Sequence, residues 1–244
     1  MNIEHVTPYA TGESKRVQIE RAFDTIAHRY DRLNRLMSLG IDVLWRRRAL
    51  RLLLPNAPTR LLDVATGTAD FAIHAARRLP HARITGIDLS EGMLQIGRAK
   101  VENAGLADRV TLTAGDCLSL PFTDGTFDAV TVAFGVRNFE DIPAGLTEMR
   151  RMLKPDGRIV ILELSQPEHF PMRPLFRFYT KAVMPLMGRL FAGHAEEYRY
   201  LPASIEHVPQ GDAMLALLRG AGFTDCRRET YTFGICSCYT GLAP

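Results

Sequence analysis

The sequence predicts one doubly wound α/β domain, with a mostly parallel sheet of seven strands and helices on both faces. Short apolar runs rich in β-branched residues alternate with longer stretches of helical periodicity, which is the pattern of repeated strand–helix–strand units. A chain of 244 residues is long enough for one such domain and too short for two ordinary ones. We therefore expect a single domain over 17–244, preceded by a mobile arm over 1–16.

The elements of the expected sheet follow one another in a regular order. The first five strands are predicted at 60–65, 83–88, 110–114, 127–134 and 158–164. The helices between them are predicted at 69–79, 91–104 and 144–153. The last elements are a helix over 210–221 and two strands over 224–232 and 235–241. Because these two strands meet at Gly234, they form a hairpin that places one antiparallel strand in the sheet.

Two helical regions lie outside this alternation. Apolar residues recur at helical spacing within 17–57, which predicts an N-terminal helical cap. A segment rich in methionine and aromatic residues within 166–208 predicts a helical insertion on the ligand-binding side of the domain.

Composition and charge argue against several classes of protein. A formal charge of +3 is too small to indicate a nucleic-acid partner. The four cysteines lack a paired CxxC spacing, and Cys236 and Cys238 are interpreted as strand residues, so we expect no metal site and a reducing cytoplasm. The first residues do not resemble a signal peptide, and no uncharged apolar stretch approaches the ~20 residues of a membrane span.

Three acidic residues lie at the ends of three successive predicted strands. Asp63 is near the end of the first strand, Asp88 ends the second and Asp116 follows the third. Ligands of such sheets bind at the carboxyl ends of the strands, beside the point where the strand order reverses. The loop after the first strand keeps only Gly67 of a glycine-rich pattern, so this edge does not suit a pyrophosphate.

These side chains suit S-adenosylmethionine, which carries an ammonium group, a sulfonium cation, a ribose diol and an adenine. Asp63 would bind the cationic methionine end, directly or through water, and Asp88 would accept from both ribose hydroxyls. Asp116 would accept from the adenine amino group, and the Cys117 amide would donate to the ring. The turn at Gly67 lets the backbone approach the cofactor closely. The alternative is that Asp63 caps a loop and Asp88 caps the following helix.

Three stretches of the chain resemble one family of enzymes. They are 23–34 with its continuation at 38–40 and 45–46, then 134–141 with matching positions up to 155, and 198–205. On these motifs the chain is similar to the ubiquinone/menaquinone biosynthesis C-methyltransferase family, from about Arg16 almost to the C-terminus. The resemblance implies the Rossmann-like fold of a class I, S-adenosylmethionine-dependent methyltransferase.

Two positions depart from the family pattern. Ala69 stands where many members carry a second glycine in the loop after the first strand, and Ala133 stands where some members have serine. The second change removes a hydroxyl that could contact the cofactor. The resemblance still implies cofactor-binding roles for four residues, which are Thr68, Asp88, Asp116 and Cys117.

The resemblance also implies a reaction, which is methyl transfer to a ring carbon of a prenylated hydroquinol. Demethylmenaquinol is the expected substrate, with the benzoquinol step of ubiquinone biosynthesis also open. Arg137 and Asn138 are expected beside the sulfonium, and we predict that Arg137 stabilises the quinol oxyanion, directly or through a water. The alternative for Arg137 is a structural ion pair with Glu140 or Asp141. Tyr30 is predicted to close over the substrate as a lid, or else to be an ordinary packing aromatic.

Residues 169–193 combine an apolar stripe with basic flanks. Such a face suits a prenyl tail or an anionic membrane surface, and packing in the core or in a homodimer is the alternative. We therefore expect a cytoplasmic protein, with peripheral contact at the inner face of the cell membrane left open.

Four other functions share parts of this pattern. A nicotinamide oxidoreductase would need the fuller glycine fingerprint, which the loop lacks. A nucleic-acid amino-methyltransferase would show Asp or Asn followed by Pro-Pro and an aromatic residue where this chain has 134–138. An O- or N-methyltransferase of another small aromatic molecule stays open, as does a non-catalytic lipid-binding module.

Overall fold

The computed structural model describes residues 3–184 and 195–244, and within these ranges seven strands form one sheet. The strands are β1 Arg60–Val64, β2 Arg83–Asp88, β3 Val110–Ala114, β4 Phe127–Ala133, β5 Leu153–Leu164, β6 Thr224–Tyr231 and β7 Cys236–Leu242. Their order is β3-β2-β1-β4-β5-β7-β6. Neighbours among β1 to β5 are parallel, whereas β7 runs antiparallel to β5 and β6. The predicted fold, with one antiparallel strand, is confirmed.

Helices cover both faces of the sheet. They are α1 Lys15–Met37, α2 Ile41–Arg51, α3 Asp70–Arg78, α4 Glu91–Asn103, α5 Ile142–Met152, α6 Met172–Phe178, α7 Ala195–His207 and α8 Asp212–Gly220. A π-helical segment, Tyr179–Val183, continues α6. Residues 185–194 lie outside the described ranges. They fall in the middle of the expected insertion 166–208 and include the end of the apolar stripe 169–193. In the part of the chain that is described, no helix is long and apolar enough to cross a membrane.

The pleat of β1 explains why helices lie on both faces. Leu61 packs in one apolar core with residues of α2 and α3, including Trp45 and Phe71. Leu62 and Val64 pack in a second core, which α5 and α8 cover. Successive apolar residues are what a parallel strand buried on both faces requires. The strand order reverses between β1 and β4, so the ligand edge lies where these two strands end.

Helix α1 lies against the ligand edge of the sheet. It begins after Ser14, whose hydroxyl accepts a hydrogen bond from the Val17 amide. Farther along α1, Asp24 Oδ1 accepts from Ser90 Oγ at 2.5 Å and from the Gly92 amide at 3.0 Å. These bonds join α1 to the start of α4, which follows β2.

The expected mobile arm over 1–16 is packed against the domain in its described part. Ile3 and Val6 are buried in the core that includes residues of α5. Lys15 Nζ donates to the Ile3 carbonyl at 2.9 Å and to the Arg137 carbonyl at 3.0 Å. The structure therefore anchors this arm beside the turn that carries Arg137.

Candidate active site

A cavity lies at the carboxyl ends of β1 to β4 and is covered by α1. Its strand-end lining includes Ala65, Gly67, Asp88, Gly115, Asp116, Cys117 and Ala133. From α1 it is lined by Arg16, Ile19, Phe23 and Tyr30. We call this the strand-end cavity. Four of the residues predicted to bind a cofactor meet here, although they come from three different strand ends.

Asp88 lines the strand-end cavity and is held by two backbone amides. Its Oδ2 accepts from the Gly67 amide at 2.8 Å, and its Oδ1 accepts from the Ser90 amide at 2.9 Å. Burial raises the pKa of this carboxyl, and the hydrogen bonds from the backbone amides partly offset that rise. The cap of α4 is Ser90, whose hydroxyl accepts from the Met93 amide, so the capping alternative for Asp88 is wrong. Each Asp88 oxygen keeps acceptor capacity, as binding a ribose diol requires.

Asp116 is held from two sides. Its Oδ1 accepts from the Leu118 amide at 2.9 Å, and its Oδ2 forms an ion pair with Arg16 Nε at 3.0 Å. Cys117 is buried next to it, and burial raises the pKa of its thiol, so the thiol stays neutral. Arg16, which no sequence pattern singles out, lines the strand-end cavity beside the predicted adenine site.

Asp63 lies beneath the loop after β1 and does not line the strand-end cavity. Its two oxygens accept from Thr66 Oγ1 and Thr131 Oγ1, both at 2.6 Å. Desolvation raises the pKa of this carboxyl to about 6. These contacts fit the loop-capping alternative, and a contact with the cofactor, directly or through water, stays a prediction.

Thr68 is also placed behind the loop and is not part of the cavity lining. Its hydroxyl donates to Asp31 Oδ1 at 2.6 Å and accepts from Lys100 Nζ at 3.1 Å. Lys100 also pairs with Asp70 at 2.5 Å, so charged groups of α1, α3 and α4 surround this hydroxyl. The predicted contact between Thr68 and the cofactor stays a prediction.

A second cavity, of about 310 Å³, adjoins the first. Most of its lining is apolar, including Met37, Leu39, Ile41, Trp45, Leu164, Leu175, Phe176 and Ile205. The Tyr179 hydroxyl donates to the Met37 carbonyl at 2.7 Å, which joins the π-helical segment to the end of α1 beside it. We call this the apolar cavity. Tyr30 and Phe134 line both cavities, so they form the wall between them.

Arg137 lines the apolar cavity and is 5% exposed. Its Nη1 donates to the Phe134 carbonyl and to Glu163 Oε1, both at 2.6 Å. Its ion pair is with Glu163 and not with Glu140 or Asp141, the two partners considered from the sequence. Asp141 instead caps α5 by accepting from the Ala144 amide. The structural ion pair is therefore with Glu163, at the end of β5.

Tyr30 lies where the two cavities meet, and Asn138 lies in the wall of the strand-end cavity. Asn138 lines the strand-end cavity, and its Oδ1 accepts from the Tyr200 hydroxyl at 3.0 Å. Tyr30 packs edge-to-face on Phe23, with ring centroids 5.8 Å apart. Burial raises the pKa of the Tyr30 phenol despite the nearby charge of Arg137, so the phenol is neutral.

Glu163 and Tyr200 were not found from the sequence. Glu163 interrupts an apolar strand just before its end, and an isolated acid in such a run is the one local feature that could have indicated it. Tyr200 lies within the third motif and carries no chemical pattern of its own. Among residues 3–184 and 195–244 there is no group of three or more His, Cys, Asp or Glu arranged to hold a metal ion.

The polar groups of the strand-end cavity match the hydrogen-bonding groups of S-adenosylmethionine. A Cβ at Gly67 would meet no atom within 4 Å, so the loop borders open space that a ligand can occupy. The φ of +55° at Gly67 further favours glycine there. Asp88 and Asp116 offer acceptors to hydroxyl and amino donors, which this cofactor has and a pyrophosphate lacks.

The fold and the strand-end cavity define a class I, S-adenosylmethionine-dependent methyltransferase. Residues 11–243 match the ubiE/COQ5 methyltransferase family, and the chain belongs to that family. This membership confirms the enzyme class and the cofactor predicted from the strand-end acids.

Relatives match over nearly the whole chain. A demethylmenaquinone methyltransferase from Bacteroides fragilis is 47% identical over 237 residues, which is 97% of both chains. One of the same name from Porphyromonas gingivalis is 45% identical and covers 98% of both. A ubiquinone/menaquinone biosynthesis C-methyltransferase from Geobacter sulfurreducens is 44% identical, covering 97% of this chain and 92% of its own.

Solved structures show the same fold at low identity. A Thermotoga maritima S-adenosylmethionine-dependent methyltransferase superposes with a TM-score of 0.66 at 20% identity, covering 93% of this chain and all of its own. The [4+2]-cyclase SpnF superposes with a TM-score of 0.69 at 18% identity, covering 95% and 97%. Because a cyclase shares the fold, the fold alone does not specify the reaction.

Proposed function

We propose that the protein methylates a ring carbon of a prenylated hydroquinol, converting demethylmenaquinol to menaquinol. The observation that carries the proposal is the wall shared by the two cavities. Tyr30 and Phe134 line both, so a ring in the apolar cavity would lie next to the methyl donor in the strand-end cavity. The names of the Bacteroides fragilis and Porphyromonas gingivalis relatives support this substrate.

The apolar cavity suits an aromatic ring that carries a prenyl chain. Ligand pockets of this kind bind an apolar body with a few polar groups that fix its orientation. Leu39 and Leu175 line the cavity yet are 81% and 56% exposed, so the cavity reaches the protein surface beside them. A prenyl chain would leave the cavity on this side.

Methylation of carbon needs a nucleophilic ring carbon. S-adenosylmethionine, when bound, supplies a methyl group on a sulfonium that leaves as the thioether. A quinol hydroxyl that loses its proton gives an oxyanion, and the adjacent ring carbon becomes nucleophilic. Arg137 stabilises this oxyanion, directly or through a water that accepts the proton. A preorganised charge of this kind contributes ~3–4 kcal/mol to the transition state.

Asn138 and Tyr30 complete the proposed catalytic group. The Tyr200 hydroxyl engages the Asn138 side-chain oxygen, which directs the Asn138 amide nitrogen away from that contact. This amide can then donate to the reacting oxygen. Tyr30 acts as the lid between the cavities and keeps water from the methyl group.

The proposed cofactor contacts follow the geometry of the strand-end cavity. Asp88 accepts from the two ribose hydroxyls, and Asp116 accepts from the adenine amino group. The Cys117 amide donates to the adenine ring, and the Gly67 backbone approaches the methionine end. Asp63 acts on that end directly, through water or through the loop that it supports.

We also propose that the surface around α6 contacts a membrane. Phe170 and Phe178 are 87% and 66% exposed, and Leu175 is exposed between them. Arg173 and Arg177 lie on the same helix and are also exposed. Apolar tips with basic flanks suit an anionic bilayer, from which a prenylated substrate would enter. A homodimer that buries the same side chains is the alternative.

The reaction is tested in a strain that lacks this gene. Its quinones are extracted and identified by mass spectrometry, and the demethylated naphthoquinone is expected to accumulate. A plasmid that carries the wild-type gene should restore the methylated product, whereas a plasmid that encodes the Arg137→Ala variant should not. An unchanged quinone pool, or a demethylated product of another class, would overturn the proposal.

A further inference from the structure

Two buried guanidinium groups line the apolar cavity. Arg46 on α2 is 7% exposed, and Arg137 is 5% exposed. Among the described residues, three side-chain nitrogen or oxygen atoms are buried without a hydrogen-bond partner, and they are the Nε atoms of Arg46, Arg137 and Arg158. Arg158 lies on β5 and does not line the cavity. Two of the three arginines therefore line one largely apolar cavity, which places two positive charges beside any ligand there. Their Nε atoms are themselves inaccessible, so a ligand in the cavity would meet other atoms of the guanidinium groups.

Arg46 is held rigidly in this position. It pairs with Asp42 one helical turn earlier, and its guanidinium lies over the Phe134 ring, 4.9 Å from the ring centroid. Arg137 meets the same residue from the backbone side by donating to the Phe134 carbonyl. The two guanidiniums thus both contact Phe134, which forms part of the wall toward the strand-end cavity.

The pair with Asp42 alone does not explain why Arg46 is there. Asp42 already accepts from Arg35 Nη1 at 3.1 Å and from Ser38 Oγ at 2.8 Å. Its charge is therefore compensated by a residue that is more exposed and needs no burial. Arg46 is thus a second cation beside this acid, and it also lines the apolar cavity.

We propose that Arg46 is a positioning residue that binds the second oxygen of the quinol. This inference rests on the proposed function. A 1,4-hydroquinol has two oxygens on opposite sides of one ring, and the cavity offers one guanidinium for each. Arg137 binds the oxygen beside the acceptor carbon, and Arg46 binds the oxygen beside the prenyl-bearing carbon. Holding both oxygens fixes which ring carbon faces the methyl donor, and it selects diols over monophenols.

The test compares two acceptors in wild-type protein and in Arg46→Met. One acceptor is a reduced 2-prenyl-1,4-naphthoquinol, and the other is 3-prenyl-1-naphthol, which keeps the hydroxyl beside the acceptor carbon and lacks the second one. In wild type, we expect kcat/KM for the monophenol to be about 10- to 100-fold lower, since a bond to a charged donor is lost. Arg46→Met should lose a similar factor on the diol and little on the monophenol.

Arg158→Met is the matched control, because it removes an unpaired buried Nε outside the cavity. It should leave the ratio between the two acceptors unchanged. Calorimetric binding of S-adenosylmethionine verifies that each variant is folded. If Arg46→Met does not fold, Arg46→Lys, which keeps a charge beside Asp42, is compared in the same way.

The outcomes separate this inference from the proposed function. Equal losses on both acceptors would show that Arg46 acts only through stability, and would overturn its positioning role. A folded wild-type protein that binds the cofactor yet methylates neither acceptor would overturn the proposed function, and the role of Arg46 with it.

Discussion

Arg137 and Glu163 form an ion pair, with Nη1 and Oε1 2.6 Å apart and both side chains almost wholly buried. Glu163 also accepts from the Arg137 amide through Oε2, at 3.2 Å, and from the Leu164 amide at 2.9 Å. One carboxylate therefore holds both the backbone and the side chain of Arg137. The guanidinium keeps its charge and is held in the wall of the apolar cavity, as its proposed role toward the quinol oxyanion requires.

Replacing Arg137 should abolish most of the turnover and spare cofactor binding. In Arg137→Ala, we expect kcat to fall roughly 10²- to 10³-fold, the loss typical of one removed oxyanion donor. Arg137→Lys should fall nearly as far, because an ammonium cannot reproduce the fixed fork of a guanidinium. Steady-state kinetics and calorimetry with S-adenosylmethionine measure the two effects. Arg150→Ala, on α5, is the control, and wild-type turnover in a folded Arg137→Ala protein would contradict the catalytic role.

Asp88→Asn should weaken the binding of S-adenosylmethionine. The asparagine side chain has one acceptor oxygen, whereas the Asp88 carboxylate has two. The backbone N–H of either Gly67 or Ser90 therefore loses its charged acceptor. We expect Kd to rise roughly 10- to 100-fold, since bonds to a charged group are worth about 1.5–3 kcal/mol. Isothermal titration measures it. Asp128→Asn is the matched control, because Asp128 also accepts backbone amides, from Thr59 and Arg60, but outside both cavities. If Asp88→Asn binds S-adenosylmethionine as tightly as wild type does, the proposed contact between Asp88 and the ribose hydroxyls is wrong.

The sequence predicts where the strand-end residues lie, because their positions follow from the strands themselves. Asp88 and Gly67 are placed by the end of β2 and the loop after β1, and parallel strands bring such ends to one edge. Even there, Asp63 and Thr68 turn toward neighbouring hydroxyl and charged groups rather than into the cavity. Local spacing does not determine which of two adjacent polar side chains faces a ligand.

The apolar cavity is harder to predict, because its polar residues depend on partners far along the chain. Glu163 lies 26 residues from Arg137, and its role appears only when β5 is paired beside β4. Arg46 looks like one basic residue among several on α2 until its side chain is seen buried over Phe134. Ile3 and Val6 have no strong pattern in a polar arm, yet they are buried by the core beneath them.

Asp63 should make stability depend on pH in a defined direction. Desolvation raises the pKa of Asp63 from 3.8 to about 6, so the folded state keeps a proton that the unfolded chain has released. The stability due to protonated Asp63 is full below about pH 4 and is lost as the pH rises through 6. Each pH unit in that window is worth about 1.4 kcal/mol, which amounts to roughly 3 kcal/mol in total.

Asp63→Asn removes this titration. Its free energy of unfolding, minus that of wild type, should therefore increase between pH 4 and pH 7, as measured by denaturant unfolding. Asp128→Asn serves as the control, since hydrogen bonds from Lys154 and Thr59 lower the pKa of Asp128 to about 2 despite desolvation. Its free energy of unfolding, minus that of wild type, should therefore not change with pH above pH 5. A flat difference for Asp63→Asn would show that its pKa is ordinary.

Lys15→Met should release the N-terminal arm. Lys15 donates to the Ile3 and Arg137 carbonyls, so it links the arm to the proposed catalytic turn. We expect faster proteolysis within 3–14 and a fall in kcat of roughly 3- to 10-fold, as the loss of a bond worth about 1 kcal/mol would give.

Burial lowers the pKa of Lys15 to about 8, but the neutral amine keeps two N–H donors. Wild type should therefore stay protected at pH 9. Lys181→Met, at an exposed site, should change neither property.

The membrane proposal predicts binding that depends on both the exposed apolar tips and the lipid charge. Wild type should sediment with vesicles of anionic phospholipid and much less with neutral ones, and added salt should weaken it by screening Arg173 and Arg177. Replacing Phe170 and Phe178 by serine removes two large exposed side chains, so binding should fall at least about tenfold, because burying each is worth roughly 1.5–3 kcal/mol.

The control is Val17→Ser, which replaces an apolar residue of α1 that is 41% exposed. If the double variant binds vesicles as wild type does, the surface does not contact lipid. A concentration-dependent dimer that the same double substitution dissociates would assign it to a second copy of the chain.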